Sequence, residues 1–265
     1  MAGAEKYAQW IVNNPDKKGT PEFETVRKAY QAAKISEQQA SKKGGISQQF
    51  NELADIGVGV LGFHTYLQQN NIPFECALAK SRNMQIFSNM RTMLDKANIE
   101  LGQERGNCPD FDEGMQIYDM EQSEKDKLFK RFSHVMSIAP TASTSIIMGN
   151  ISPSIEPIRA NAYRQDTMSG SYLNKNHVLD EVIKKKVAEN AKLSYDDIWM
   201  DIITNDGSIQ HMDIFSEDEK LVFKTAMEID QRWVVELAAD RQKDIDQTQS
   251  VNLFFRPDAH IKYLH

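Results

Sequence analysis

The sequence predicts a helix-rich α/β domain. Three observations lead to that class. Phe87, Met90, Leu94, Ala97 and Leu101 recur at intervals of three and four, the period of a helix with one apolar face, and Gly106 ends it. Ser216 and Glu219 form a capping-box pair ahead of a second apolar stripe, Val222, Ala226, Ile229, Trp233 and Leu237. Short runs at 134–138 and 249–255 suit strands: Pro140 ends the first, and Val251, Leu253 and Phe255 alternate with Asn252 and Phe254 in the second.

Taken in order, residues 1–45 form a poorly readable helical segment. Thr20 and Pro21 mark a helix start, with Phe23, Val26 and Tyr30 at helical spacing, and Lys42-Lys43-Gly44-Gly45 is a break read as a solvated linker. From Ile46 to the end the chain reads as one region. An apolar stripe through Phe50, Leu53 and Ala54 leads to Gly57, Gly59 and Gly62, which suit close packing against a neighbouring element. The other reading, a glycine-rich dinucleotide loop, lacks a third glycine in register. His64 beside them is expected to be a packed histidine.

Asn70 to Pro73 is a turn, followed by the helix through Phe87 and Leu101, whose methionines serve as core filler. Residues 106–121 read as a loop, and Ser123 to Phe132 as a short charged helix. Arg159, Tyr163 and Arg164 make a candidate basic element, with salt bridges to surrounding acids as the alternative. Residues 174–191 and 194–204 read as helices, the second capped by Ser194 with Asp197. Lys184-Lys185-Lys186 is a solvated helix face. The helix opened by Ser216 is read as long, with Trp233 as a core anchor.

Composition narrows the function classes. The 265 residues carry a net charge of −7, which argues against a general nucleic-acid binder, since such a protein needs a basic face. No apolar run approaches the ~20 residues of a membrane span, and the N-terminus lacks a signal-peptide core. A cytoplasmic location follows as the expectation. The cysteines Cys76 and Cys108 lie far apart and without nearby histidines, so they form no zinc site and suit a reducing compartment. Both are read as unreactive small side chains, and no metal ligand is assigned.

The stretch from Ser137 to Pro157 carries the most chemistry. A short apolar run breaks at Pro140 into Thr141, Ala142, Ser143, Thr144 and Ser145. A strand, a small-residue turn and a helix start make a seat for phosphate, because backbone N–H groups point outward and the helix dipole favours an anion. The other reading is a Ser/Thr turn whose hydroxyls cap their own helix.

This stretch resembles the substrate-phosphate loop of the large, catalytic subunit of ribonucleotide reductase. The similarity rests on Ala139-Pro140-Thr141-Ala142-Ser143-Thr144-Ser145, then Gly149 and Ser152-Pro153-Ser154-Ile155-Glu156-Pro157. Further blocks follow in order: Thr167-Met168-Ser169-Gly170, Asn205 to Gln210, and Ile245-Asp246-Gln247-Thr248-Gln249-Ser250-Val251-Asn252-Leu253; Ile56 to Phe63 fits upstream. The resemblance covers the chain from about Ile46 onward.

It implies a ten-stranded α/β barrel of two five-stranded halves, with this chain supplying much of the second half. It implies an aerobic, class I-like enzyme that reduces ribonucleoside diphosphates at the 2′ carbon by cysteine radical chemistry. Thr141, Ala142, Ser143 and Thr144 would hold the substrate phosphates. Neither cysteine here falls in a catalytic block and no Asn-x-Cys-x-Glu block occurs, so no catalytic residue is assigned. This piece would bind no cofactor; the whole enzyme would take its radical from a metal-containing small subunit and its electrons from a dithiol. The implied partners are the rest of the large subunit, the small subunit and a second complete large subunit. A cobalamin-dependent reductase and a non-catalytic nucleotide-binding or assembly module remain the alternatives.

Overall fold

The computed structural model describes residues 55–108, 111, 128–167 and 170–255. The helix expected after Thr20, the linker at 42–45 and the stripe through Phe50 fall outside them. The elements, in chain order, are α1 (Phe63–Gln69), α2 (Ala77–Arg105), α3 (Ala142–Ile147), β1 (Ala162–Thr167), β2 (Gly170–Lys175), α4 (His177–Glu189), α5 (Tyr195–Thr204), α6 (Glu217–Val222) and α7 (Gln231–Gln242). The chain divides into two compact units, Met1–Ile56 with Leu94–His134, and Gly57–Met93 with Val135–His265.

In the first unit, the later part of α2 is strapped by its own polar side chains. The Asn98 amide donates to the Phe132 carbonyl at 2.9 Å and accepts from the Phe132 N–H at 2.7 Å. Asn107 accepts from the Lys130 N–H at 2.8 Å, and Gly102 lets the Lys130 backbone approach where a Cβ would sit 2.8 Å from its nitrogen. Gly106, at φ +84°, ends α2 in the left-handed conformation, as the sequence predicts. Residues 128–132 are not helical, which corrects the end of the charged helix expected there; the rest of it, like most of the 106–121 loop, lies outside the described residues.

The second unit holds the larger core. Leu179, Ile183, Ile198, Trp199, Ile202, Ile209, Phe215 and Phe223 pack together. Helix α4 is capped by the Asn176 side chain and α5 by Ser194, which accepts from the Asp197 N–H. The capping box at Ser216 and Glu219 is present in full, but the helix it opens is short. It stops at Val222, and α7 begins afresh at Gln231 with Asp230 as its cap. The restart shifts the helical phase, so Val234 and Leu237 face the core and Trp233 is only half-buried. The core tryptophan is Trp199.

The strand expectations need two corrections. The only ladder among the described residues is the antiparallel hairpin β1–β2, pairing Ala162 with Lys175 and Thr167 with Gly170. Residues 174–175 are therefore strand, and the helix read over 174–191 starts at His177. The runs 134–138 and 249–255 form isolated parallel bridges, Val58 with Met136 and Ile138 with Gln249. A carboxylate explains why no longer ladder forms there. Asp246 accepts the Val135 and Met136 N–H groups at 3.1 and 2.8 Å, taking donors that a neighbouring strand would otherwise use. The described residues thus form an α/β fold without displaying the expected barrel sheet.

The glycines upstream of α1 do permit close approach. A Cβ on Gly57 would sit 2.0 Å from the Ser137 hydroxyl, and one on Gly59 2.4 Å from the Ser137 carbonyl. His64 is buried against Phe74 at a ring separation of 5.3 Å, and its Nδ1 accepts the Ile158 N–H at 2.9 Å. Burial pushes its pKa down to about 3 against a weaker upward pull from the Val222 carbonyl, so it is a neutral packed histidine as expected.

Candidate functional site

The site starts from how residues 134–141 are held. Val58 exchanges backbone bonds with the Val135–Ser137 stretch (Val58 N–H to the Val135 carbonyl, 2.9 Å; Ser137 N–H to the Val58 carbonyl, 3.3 Å). On the other side the Ile138 N–H donates to Thr248 at 3.1 Å, and the Ser250 N–H donates to Ile138 at 2.9 Å. Burial opposes ionisation of Asp246, but the Met136 and Val135 N–H groups and Arg91, 2.9 Å away, prevail and hold its carboxyl below the usual range.

Beyond this root the backbone turns sharply. Thr141 takes φ +46°, a left-handed conformation that a β-branched residue adopts only when its surroundings impose it. It occupies the N-cap position of α3, yet its side chain makes no cap bond. Its hydroxyl oxygen accepts the Ser154 N–H instead, at 2.8 Å. Ser154, itself at φ +48°, is fully buried, and its own hydroxyl has no partner among the described residues. Thr65 and Ser152 anchor the returning chain by a reciprocal pair of bonds, Ser152 N–H to Thr65 Oγ1 at 2.8 Å and Thr65 N–H to Ser152 Oγ at 3.1 Å.

Ala142, Ser143 and Thr144 follow on the exposed surface. Their N–H groups have no acceptor among the described residues, and neither do the Ser143 and Thr144 hydroxyls. Ser145 differs. It is buried and its hydroxyl donates to the Ala142 carbonyl at 2.7 Å, a structural role. The four residues singled out from sequence therefore come together as a turn of outward N–H and O–H donors with no charged side chain among them. Donors in several directions suit a phosphate. The reading in which the hydroxyls cap their own helix is not seen at Thr141, Ser143 or Thr144.

The basic element is dispersed. Arg159 is exposed and lies over the Phe254 ring at 5.3 Å, without an ion pair among the described residues. Arg164 donates to the Ser171 hydroxyl within the hairpin. Tyr163 donates to Asn150 at 2.8 Å and so ties the hairpin to the turn after α3. Cys76 caps α2, with its sulfur accepting the Ala79 N–H at 3.4 Å, and Cys108 is buried. No metal-binding group of histidine, cysteine or acidic residues occurs among the described residues, and no described helix is long and apolar enough to cross a membrane.

Sequence reasoning quoted Ser154 only within a matching block and gave no role to its amide, which donates to the Thr141 hydroxyl. Its one signal is position, a serine between Pro153 and Ile155 in a buried stretch that also holds Ser152 and Glu156. It also passed over Asn161, which no motif marks.

The ribonucleotide reductase barrel domain matches residues 24–265. The ribonucleoside-diphosphate reductase large subunit of Invertebrate iridescent virus 6 is 50% identical over 212 residues, covering 79% of this chain and 20% of that protein. The corresponding subunit of Invertebrate iridescent virus 3 is 44% identical over 211 residues, covering 79% of this chain and 31% of that one. Among solved structures, the Actinobacillus ureae class Id ribonucleotide reductase alpha subunit superposes with a TM-score of 0.73 at 33% identity, over 94% of this chain and 43% of that chain. The chain spans about a fifth to a third of the length of these curated relatives.

Proposed function

The chain belongs to the ribonucleotide reductase family through its barrel domain, and from that premise we propose that it is the substrate-phosphate part of a ribonucleoside-diphosphate reductase large subunit. In this reading it forms much of the second half of the barrel. Thr141, Ala142, Ser143 and Thr144 hold the diphosphate of a ribonucleotide. The thiyl and dithiol cysteines come from the remainder of the large subunit. A small subunit supplies the radical, and the complete large subunit pairs with a second copy in the cytoplasm. The class Id neighbour supports the class I form over the cobalamin-dependent one.

The observation that carries the reading is the uncommitted donor set at the start of α3. Thr141 sits where a threonine ordinarily caps a helix, and its hydroxyl oxygen is engaged by Ser154 instead. That leaves the first N–H groups of α3 open and leaves the Thr141 hydroxyl hydrogen free to donate outward. A phosphate placed there receives charge-assisted bonds, each contributing about 1.5–3 kcal/mol.

The test is a reconstitution. The chain is combined with the complementing part of the large subunit, a small subunit and a dithiol, and formation of deoxynucleotide is followed. Turnover is expected only from the mixture. Ser143→Ala should raise the Michaelis constant for the diphosphate by roughly ten- to a hundredfold. Deoxynucleotide formed by this chain alone, or an unchanged Michaelis constant, would overturn the assignment.

A further inference from the structure

Arg241 is fully buried in the last turn of α7. Its guanidinium lies 5.9 Å from the Phe63 ring and 5.3 Å from the Phe87 ring. Nη1 donates to the Asn83 side chain at 2.6 Å and Nε to the Gln249 side chain at 2.9 Å, while Nη2 is buried without a partner. No carboxylate is ion-paired with it among the described residues, and burial brings its pKa down to about 9 against a weaker pull from Asp240. For stability alone this is a poor choice. A buried charge without an ion-pair partner opposes folding, and an apolar side chain of similar length often does as well or better.

What the guanidinium provides is a fixed donor to Gln249. That side chain is held at its other end too, with Nε2 donating to the Ala238 carbonyl at 2.9 Å and to Gln242 at 2.7 Å. Gln249 is the residue bridged to Ile138, which Thr248 and Ser250 grip by backbone bonds of 3.1 and 2.9 Å. Ile138 stands three residues before Thr141. Asn83 backs the chain of contacts, donating to the Leu237 carbonyl at 2.9 Å while accepting from Arg241.

We propose that Arg241 is a positioning residue for the phosphate loop, acting through Gln249 and Ile138 to set where the donors of Thr141 to Thr144 stand. The inference rests on the phosphate-loop reading above. A loop whose root shifts presents the same donors in the wrong places, which weakens binding without unfolding the domain.

The full 265-residue chain is titrated with inorganic pyrophosphate while the amide signals of Ser143 and Thr144 are followed by NMR. Hydrogen exchange at Ile138 and Ser250 is measured in parallel. Arg241→Met keeps the length and packing and loses the donors; Arg241→Lys keeps the charge; Gln249→Leu cuts the link and leaves Arg241 on Asn83. The Met and Leu variants should bind pyrophosphate about tenfold more weakly per folded molecule and exchange faster at Ile138 and Ser250, with Lys between them and wild type. A merely structural role would lower the melting temperature and leave the affinity of the folded fraction unchanged. If Arg241→Met does not fold, Gln249→Leu decides the question alone. Wild-type affinity and exchange in a folded Met or Leu variant would overturn the positioning role, whereas a wild type that shows no shift at Ser143 and Thr144 would overturn the phosphate-loop reading itself.

Discussion

Two uncharged polar clusters of the second unit, one of carboxamides and one of hydroxyls, have opposite fates. Around Asn161, every donor is turned inward. The Asn161 side chain donates to the carbonyls of Gly207 and Phe223 at 3.0 and 2.8 Å and accepts from Asn176 at 2.9 Å. Asn176 in turn donates to Gln68 at 3.0 Å. Gly207, at φ +80°, brings its turn so close that a Cβ would lie 2.5 Å from that of Ala160. At Thr141 to Thr144 the donors face outward and none of the Ser143 and Thr144 hydroxyls is engaged by the described residues. Both clusters contain or adjoin residues by which the chain resembles its family. The Asn205–Gln210 block is architecture: its Gly207 carbonyl takes the Asn161 amide, Asn205 donates to Asp201, Ser208 donates to Glu228, and Gln210 donates to the Lys220 carbonyl. The Thr141 block is left incomplete by the fold, and incompleteness is what a ligand can answer.

Breaking the inward cluster should have the largest effect on stability. Asn161→Ala leaves the Phe223 carbonyl without its donor and takes one of the two acceptors of the Asn176 amide, and the expected loss is roughly 3–5 kcal/mol in urea unfolding. Pyrophosphate affinity of the molecules that remain folded should not change.

His64 sharpens the same contrast through pH. Its folded pKa of about 3 lies below the ordinary 6.5, so the unfolded chain takes up a proton that the folded chain refuses. Stability should therefore fall as pH drops from about 6.5 toward 3, by about 1.4 kcal/mol per unit at most. His64→Gln should flatten that slope in unfolding curves at pH 7 and pH 4.5, and an equally steep slope in the variant would assign it to other groups.

Asp246 belongs to the root of the outward-facing loop, where it holds Val135 and Met136, and it titrates in a lower window. Its folded pKa is below 3.8, so its stabilising bonds are present above that value and are lost as pH falls through the folded value. Asp246→Asn should cost about 1–2 kcal/mol at pH 7 and raise hydrogen exchange at Val135 and Met136. The smallest effect on stability belongs to the loop tip. Ser143→Ala should change the unfolding free energy by no more than ~0.5 kcal/mol, since no described residue uses that hydroxyl. A loss of the ~1 kcal/mol typical of a helix cap would favour the capping role instead.

Much of this was legible in the sequence where a local signal exists. The period of three and four marks α2, Ser194 and Ser216 announce their helices, and the small hydroxyl cluster marks the loop. The β1–β2 hairpin was missed because its sequence carries no apolar alternation, and its adjacent apolar residues Tyr172 and Leu173 are both exposed. The break between α6 and α7 was missed because Ala226 and Ile229 are buried at helical spacing without being helical. Arg241 and Ser154 act through contacts far from them in sequence, and an arginine late in a helix reads as a solvated charge until its burial is known.

The most direct test of the central claim is an amide-resolved NMR titration of the intact chain with cytidine diphosphate. Saturable shifts confined to Thr141, Ala142, Ser143 and Thr144, with Asn161, Asn176 and Gly207 unmoved, are the predicted result. Shifts centred on the Asn161 cluster, or none at the loop at millimolar diphosphate, would contradict it.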